Sequence, residues 1–274
     1  MSIAASQPAE TYFHPTVASH PDFRPAAVVS VLGPRAATFA GFDAGGNLMA
    51  FEKYTAPEAA GDWNPDFLEK SFAANPFFAV APEGRVFLCD PRQLVIPEAL
   101  YAEESLADWI RTCYFMEGEE DLLVTTVSGA PYRVATVCSG PMKQRVAAGK
   151  TGKGIYAMGA ALLHGTPAKT GECARVLLTA DTTYLALWRD GNLLEAVAFG
   201  ETEASSVAYR LHGLLHKNGV DAGGVQVFAE ALYPALETIA LLGDYWQLTP
   251  SGNEAADVWE SVSRSFSRVR ACVS

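Results

Sequence analysis

One pattern of short strands and tight turns occurs twice in this chain, and it limits the available folds more than any single motif does. From Ala26 the sequence runs AVVSVLGPRAATFAGFDAGGNLMAFEKY, with apolar or alternating runs at Val28–Leu32, Ala36–Phe42 and Asn47–Lys53. Gly33-Pro34 and Asp43-Ala44-Gly45-Gly46 separate them. Short β-prone runs closed by such turns predict a three-stranded antiparallel meander. At Arg175 the pattern returns in RVLLTADTTYLALWRDGNLLEAVAFG, with strands expected at Val176–Thr179, Tyr184–Arg189 and Leu193–Phe199. FDAGGNLMAF and WRDGNLLEAVAF correspond around the second turn of each copy.

The elements after each meander are also similar. In the first half, Asn64-Pro65 supplies a cap and a first-turn proline for a helix to about Asn75. A strand is expected at Gly84–Asp90, and an amphipathic helix from Glu103 to about Phe115. A hairpin of Asp121–Val127 and Tyr132–Ser139 and a helix around Ile155–His164 complete this half. In the second half come a helix over Thr202–Asn218, a strand at Val225–Phe228, a helix from about Tyr233 to Leu242 stopped by Gly243, and a short strand at Tyr245–Leu248. The capping box Ser251-x-x-Glu254 opens a last helix that places Ala255, Val258, Trp259, Val262, Phe266 and Val269 on one face. Both halves read as meander, helix, strand, helix, strand, an α/β chain with mixed sheets. The expected organisation is an extended leader over residues 1–25, rich in proline, a first subdomain over 26–171 that carries a hairpin and basic extension, and a second over 172–274.

Composition bounds the function. The 20 Lys and Arg against 31 Asp and Glu give a net charge of −11, which disfavours nucleic acid and anionic lipid surfaces as partners. The five cysteines are scattered without a CxxC, so neither a disulfide framework nor a zinc knuckle is expected, and reduced cytoplasm is the natural compartment. No basic and apolar leader opens the sequence and no run of about 18 apolar residues occurs in it, so neither a secretion signal nor membrane insertion is expected.

The duplicated unit over about residues 26–272 resembles the actin-like ATPase fold, in which two ribonuclease H-like subdomains close over a nucleotide, as in sugar kinases, Hsp70 chaperones and pilus-assembly ATPases. ARVLLTADTTYLALWRDGNLL is similar to the second phosphate hairpin of the pilus-assembly members. RQLVIPEALYAEESLADWIRTCY, with the order of elements around it, resembles an uncharacterised bacterial family with this fold and no assigned activity. The resemblance implies ATP and Mg²⁺ in the cleft if the site is still used. Such sites need a carboxylate at the end of the first strand of each meander and a glycine in the following turn, where backbone N–H groups approach phosphate. The corresponding positions here are Ser30 and Leu32, then Leu177 and Thr179, while Asp181 falls at the turn tip. The paired glycines that flank adenosine correspond to Ala229-Glu230-Ala231, and Gly223-Gly224 precede the strand. No catalytic residue, metal or bound cofactor is therefore expected. Thr179, Asp181, Thr182, Thr183, Gly33 and Arg35 remain as candidates to line the cleft.

Other motifs are incomplete. Gly149-Lys150-Thr151 ends like a P-loop but has Gln144 where its first glycine belongs, and His212 and His216 lack the glutamate of HExxH. No GxSxG elbow occurs. Charge is segregated: residues 98–121 hold eight acidic side chains and one basic, while residues 122–171 hold Arg133, Lys143, Arg145, Lys150, Lys153 and Lys169 and no acid. Two readings stay open for that region, a bipolar surface for a protein partner or a dimer, and two faces that neutralise each other. The leading expectation is a pseudo-ATPase that serves as an interaction scaffold. A nucleotide-dependent switch or kinase-like enzyme using the cleft, and a pilus or secretion adaptor, are the alternatives.

Overall fold

The computed structural model describes residues 8–18, 24–57, 62–75, 81, 83–148, 154–165, 170–249 and 258–272. Its first sheet has six strands in the order β1-β4-β3-β2-β5-β9. The meander is β2 (Ala27–Leu32), β3 (Ala36–Phe42) and β4 (Leu48–Thr55). β1 (Glu10–Phe13) pairs antiparallel with β4, so part of the expected leader is an edge strand; the short helix α1 (Pro15–Ala18) follows it. On the other side of β2 lie β5 (Glu83–Leu88) and then β9 (Gly154–Ala157), both parallel. Every residue of β2 and β3 is buried, as expected of central strands covered on both faces.

The helix α2 (Pro65–Ala74) begins where Asn64 accepts the N–H of Phe67 at 3.0 Å. Between β5 and β9 the chain builds a separate antiparallel sheet, ordered β6-β8-β7, from β6 (Gln93–Pro97), β7 (Glu120–Thr126) and β8 (Tyr132–Ser139). On this sheet the helix α3 (Glu103–Cys113) buries Leu106 and Ile110. The helix α4 (Gly140–Ala148) leads on to β9, and α5 (Met158–Leu163) is buried along its whole length. The expected helix around Ile155–His164 is thus strand first and helix second: Arg85 to Leu88 pair with Gly154 to Ala157 and draw that stretch into the first sheet.

The second sheet is ordered β12-β11-β10-β13, built from β10 (Glu172–Leu178), β11 (Thr183–Arg189), β12 (Asn192–Phe199) and β13 (Gln226–Ala231). A two-residue turn joins β11 to β12, with Asp190 at φ 51° and Gly191 at φ 77°. Positive φ at both positions matches the strand twist and explains the Asp-Gly pair. The helix α6 (Ala204–Lys217) covers this sheet with Val207, Leu211 and Leu215. α7 (Leu236–Tyr245) runs through Gly243, which therefore does not end it, and the expected Tyr245–Leu248 strand reduces to one bridge between Val227 and Leu248.

The last helix, α8 (Val258–Ala271), crosses back to the first sheet. Val262, Phe266 and Val269 join that sheet's core, and Phe266 meets Phe42 and Phe51. Burying such a side chain contributes roughly 1.5–3 kcal/mol. α8 also ties the two sheets together, because its Arg268 forms an ion pair with buried Glu230 of β13. The capping box Ser251-x-x-Glu254 and Ala255 lie outside the described residues.

Candidate functional site

The ends of β2 and β10 face each other through the turns that succeed them. After Leu32 the chain turns at Gly33 to Arg35, with the N–H of Gly33 donating to the carbonyl of Ala36 at 2.8 Å. After Leu178 it turns through Thr179 to Thr182. The N–H of Thr179 donates to the carbonyl of Thr182 at 2.9 Å, and the N–H of Thr182 donates to Thr179 Oγ1 at 3.1 Å. This small turn holds Asp181 at its tip and aims it at the other hairpin.

There Asp181 Oδ2 accepts the backbone N–H of Arg35 at 2.9 Å and of Ala36 at 3.0 Å, while Oδ1 accepts the Thr182 hydroxyl at 3.2 Å. Two adjacent amides pointing at one acceptor form an anion site, and here its occupant is a carboxylate of the same chain. Gly33 completes the fit, because a Cβ at that position would overlap both Asp181 carboxylate oxygens. The residue keeps part of its surface exposed, yet the carboxyl is enclosed by the two hairpins. That burial pushes its pKa up to about 6, against the three hydrogen bonds that favour the charged form.

Beneath the contact the side chains are buried: Leu32, Leu177, Leu178, Cys89 and Tyr184, with Thr179 and Thr182. Burial, with the Asp181 charge beside it, raises the Cys89 thiol well above its ordinary pKa. Ser30 sits within β2, paired in register with Phe39 and Val86, and is fully buried. Leu177 stands within β10 opposite Tyr184. Neither position carries a carboxylate. Among the described residues no group of three or more His, Cys, Asp or Glu is arranged to hold a metal ion.

Of the cleft candidates, Gly33, Arg35, Thr179, Asp181 and Thr182 meet at this contact. Arg35 takes part through its backbone, while its guanidinium reaches the carbonyl of Pro57 at 3.4 Å. Thr183 starts β11, and its hydroxyl donates to the carbonyl of Glu201 at 2.8 Å. At Ala229-Glu230-Ala231 the structure corrects the strand end. β13 continues through Ala229, Glu230 and Ala231, so these residues lie within the sheet, and Leu232 and Tyr233 come after it. His212 and His216 are exposed on α6.

The charged region is described in part. Arg133 makes a two-pronged contact with Glu98 at 2.9 and 2.6 Å, and Lys143 reaches Asp121 at 2.7 Å. At these two positions the acidic and basic stretches neutralise each other. Arg145 falls on α4; its side chain, Lys150, Lys153, Lys169 and the Gly149-Lys150-Thr151 motif lie outside the described residues.

Sequence reasoning does not find a cavity of about 390 Å³ beside the first hairpin. Arg92 is fixed in it, bonded to Asp90 at 2.9 Å and to Glu120 at 2.6 Å. Trp63 forms part of the wall in a left-handed conformation, φ 55°, that an aromatic residue seldom adopts. Its N–H donates to the carbonyl of Pro34 at 2.8 Å, and its indole Nε1 to Asp90 at 3.1 Å. The only sequence signal is the eight carboxylates of residues 98–121, which do not reveal that Glu117, Glu119 and Glu120 border one pocket.

No family model and no curated protein matches the chain. Among solved structures it is similar to a Bacteroides thetaiotaomicron protein with an actin-like ATPase fold and unknown function, at 10% identity and a TM-score of 0.68, covering 86% of this chain and 95% of that one. It is also similar to the PilM-PilN type IV pilus biogenesis complex, at 12% identity and a TM-score of 0.50, covering 92% of this chain and 100% of that one. The fold is the actin-like ATPase fold, with one meander in each of its two larger sheets.

Proposed function

We propose that this chain is an actin-like-fold protein that has given up nucleotide turnover and works as an interaction scaffold. The observation that carries this reading is the pair of hydrogen bonds from the Arg35 and Ala36 amides to Asp181. Backbone N–H groups at a hairpin of this kind are where a phosphate would be held, and a built-in carboxylate competes for them as an intramolecular ligand at high effective concentration. A nucleotide would have to displace a group whose hydrogen bonds to charged acceptors contribute roughly 1.5–3 kcal/mol each.

The other supports are chemical. The strand-end positions carry Ser30, Leu32 and Leu177, which supply neither the carboxylate that would hold Mg²⁺ through water nor the glycine that lets backbone amides approach a phosphate. One structural neighbour is a complex with a second protein, which favours a partner-binding role for the fold over an isolated one.

Thermal melting with millimolar ATP and Mg²⁺ tests the reading. No shift in melting temperature is expected. At 100 times its dissociation constant a bound nucleotide would stabilise the fold by about 2.7 kcal/mol, so a clear upward shift would overturn the proposal and favour a nucleotide-dependent switch.

A further inference from the structure

We propose that the outward face of α6 and α7 is a dimer surface, on which a second copy of this chain packs with its α7 over α6 and its α6 over α7. This goes beyond the scaffold reading by naming one partner and the surface that receives it.

α6 and α7 pack against each other, and both cover the same face of the second sheet. Of the seven large apolar side chains exposed among the described residues, Tyr209, Leu236 and Tyr245 stand on these two helices, while the other four are spread over four other segments. Tyr209 is 76% exposed and Leu236 64%. At spacings of four and three residues, Tyr209, Gly213 and His216 form one exposed stripe on α6, and Leu236, Ala240 and Gly243 form another on α7.

The two glycines are a second observation. Glycine is the poorest helix former after proline. A Cβ at Gly213 would meet nothing within 4 Å, and one at Gly243 would make only an ordinary contact with Leu248 at 3.7 Å. Packing within the chain therefore gives no reason for either residue. Their missing side chains leave hollows beside Tyr209 and Ala240, which let a helix of another molecule approach closely.

Charge selects the partner. The charged side chains of α6 are basic only, Arg210 and Lys217 with His212 and His216 on the same helix, whereas α7 carries only the acids Glu237 and Asp244. Arg210 holds Glu201 at 3.0 Å and Lys217 holds Glu195 at 2.6 Å, but the two side chains stay 51% and 70% exposed, with N–H donors to spare. Glu237 and Asp244 are exposed, with no ion-pair partner among the described residues. A two-fold axis that sets α6 on the partner's α7 brings the opposite rows together twice. A chain of charge −11 otherwise repels its own copy, so a face that carries both signs in separate rows is where two copies can meet. With 14 residues in α6 and a width of two helices, the footprint is about 20 Å on a side, at the low end of specific interfaces, and a micromolar dissociation constant follows.

Sedimentation equilibrium of the full chain at about 1–200 μM and low ionic strength tests this. The mass is expected to rise toward that of two chains. Y209E should weaken the dimer about tenfold or more, and F115E, the same change at an exposed ring outside this face, less than about twofold. E237K/D244K and R210E/K217E should each weaken it by a similar factor. An equimolar mixture of these two variants should regain a dimer within about threefold of the native one, because each presents the sign that the other lacks. A monomer at every concentration, association beyond a dimer, equal losses in Y209E and F115E, or a mixture no tighter than its separate components would each overturn the proposal. None of these outcomes depends on whether ATP shifts the melting temperature, so failure here is distinguishable from failure of the scaffold reading.

Discussion

Asp181 Oδ2 lies 2.9 Å from the backbone nitrogen of Arg35, a residue 146 positions earlier in the chain. The tip of the second hairpin is thereby fastened to the turn of the first, and the two halves of the duplicated fold meet at this contact. The consequences of this contact can be separated from those of ordinary packing.

The glycine at position 33 is required by the contact itself. Gly33→Ala sets a methyl group against the Asp181 carboxylate, and overpacking of this kind costs about 1–3 kcal/mol. Combined with Asp181→Ala the clash disappears, so the double variant is expected to lose less stability than the two singles together. A double-mutant cycle by urea unfolding measures the coupling; strict additivity would show that the two residues do not press on each other.

The contact also has a pH signature. Burial raises the Asp181 pKa to about 6 from an ordinary value of 3.8, so between about pH 4 and 6 the folded chain binds more protons than the unfolded one. Stability contributed through this group therefore falls as pH rises through that window and levels off above it, by an amount on the order of 1–2 kcal/mol. Asp181→Asn should remove this component, so the stability of the native chain minus that of the variant declines from pH 4 to 7. A difference that grew with pH would mean that the amide hydrogen bonds outweigh burial.

Arg92→Ala leaves Asp90, only 1% exposed, without its main counter-charge. Removing one partner of a buried pair costs about 3–5 kcal/mol. Trp63 Nε1 donates to the same carboxylate, so a change in tryptophan emission is expected to accompany the loss. Stability within about 1 kcal/mol of the native chain would show the pair to be effectively solvated.

Much of this architecture is legible in the sequence, because its elements are local. Asn64-Pro65 announces α2, and Asp190-Gly191 announces a two-residue turn whose positive φ values few other residue pairs accept. The strands without a sequence signal, β1, β6 and β9, are four or five residues long. Partners distant in the chain place them, such as Lys53 for Glu10 and Arg85 for Gly154, and so few residues carry no periodicity of their own. The candidate site divides in the same way. Thr179, Asp181 and Thr182 can be picked out as a turn, but the destination of the Asp181 side chain is a tertiary fact. Arg92, Trp63 and Glu120 come from three separate parts of the chain, and nothing in their spacing announces a shared pocket.

Thiol chemistry offers an independent check on the core. Cys89, Cys138, Cys173 and Cys272 are buried, and Cys113 is exposed at the end of α3. Burial pushes the Cys138 and Cys272 thiols up to about 12 and Cys89 well above its ordinary value, which keeps them as poor nucleophiles. An aromatic disulfide reagent should titrate one thiol rapidly in the native chain, and Cys113→Ser should abolish that reaction. Rapid labelling of two or more thiols would contradict this packing.

The backbone amides of Arg35 and Ala36 report on the central claim directly. In a ¹⁵N-labelled sample their resonances should move as Asp181 titrates near pH 6, and again in Asp181→Ala, while staying fixed when millimolar ATP and Mg²⁺ are added to the native chain. A saturable shift of both amides on adding ATP would show that nucleotide takes the place of the carboxylate, and would contradict the proposal that this chain has given up nucleotide turnover.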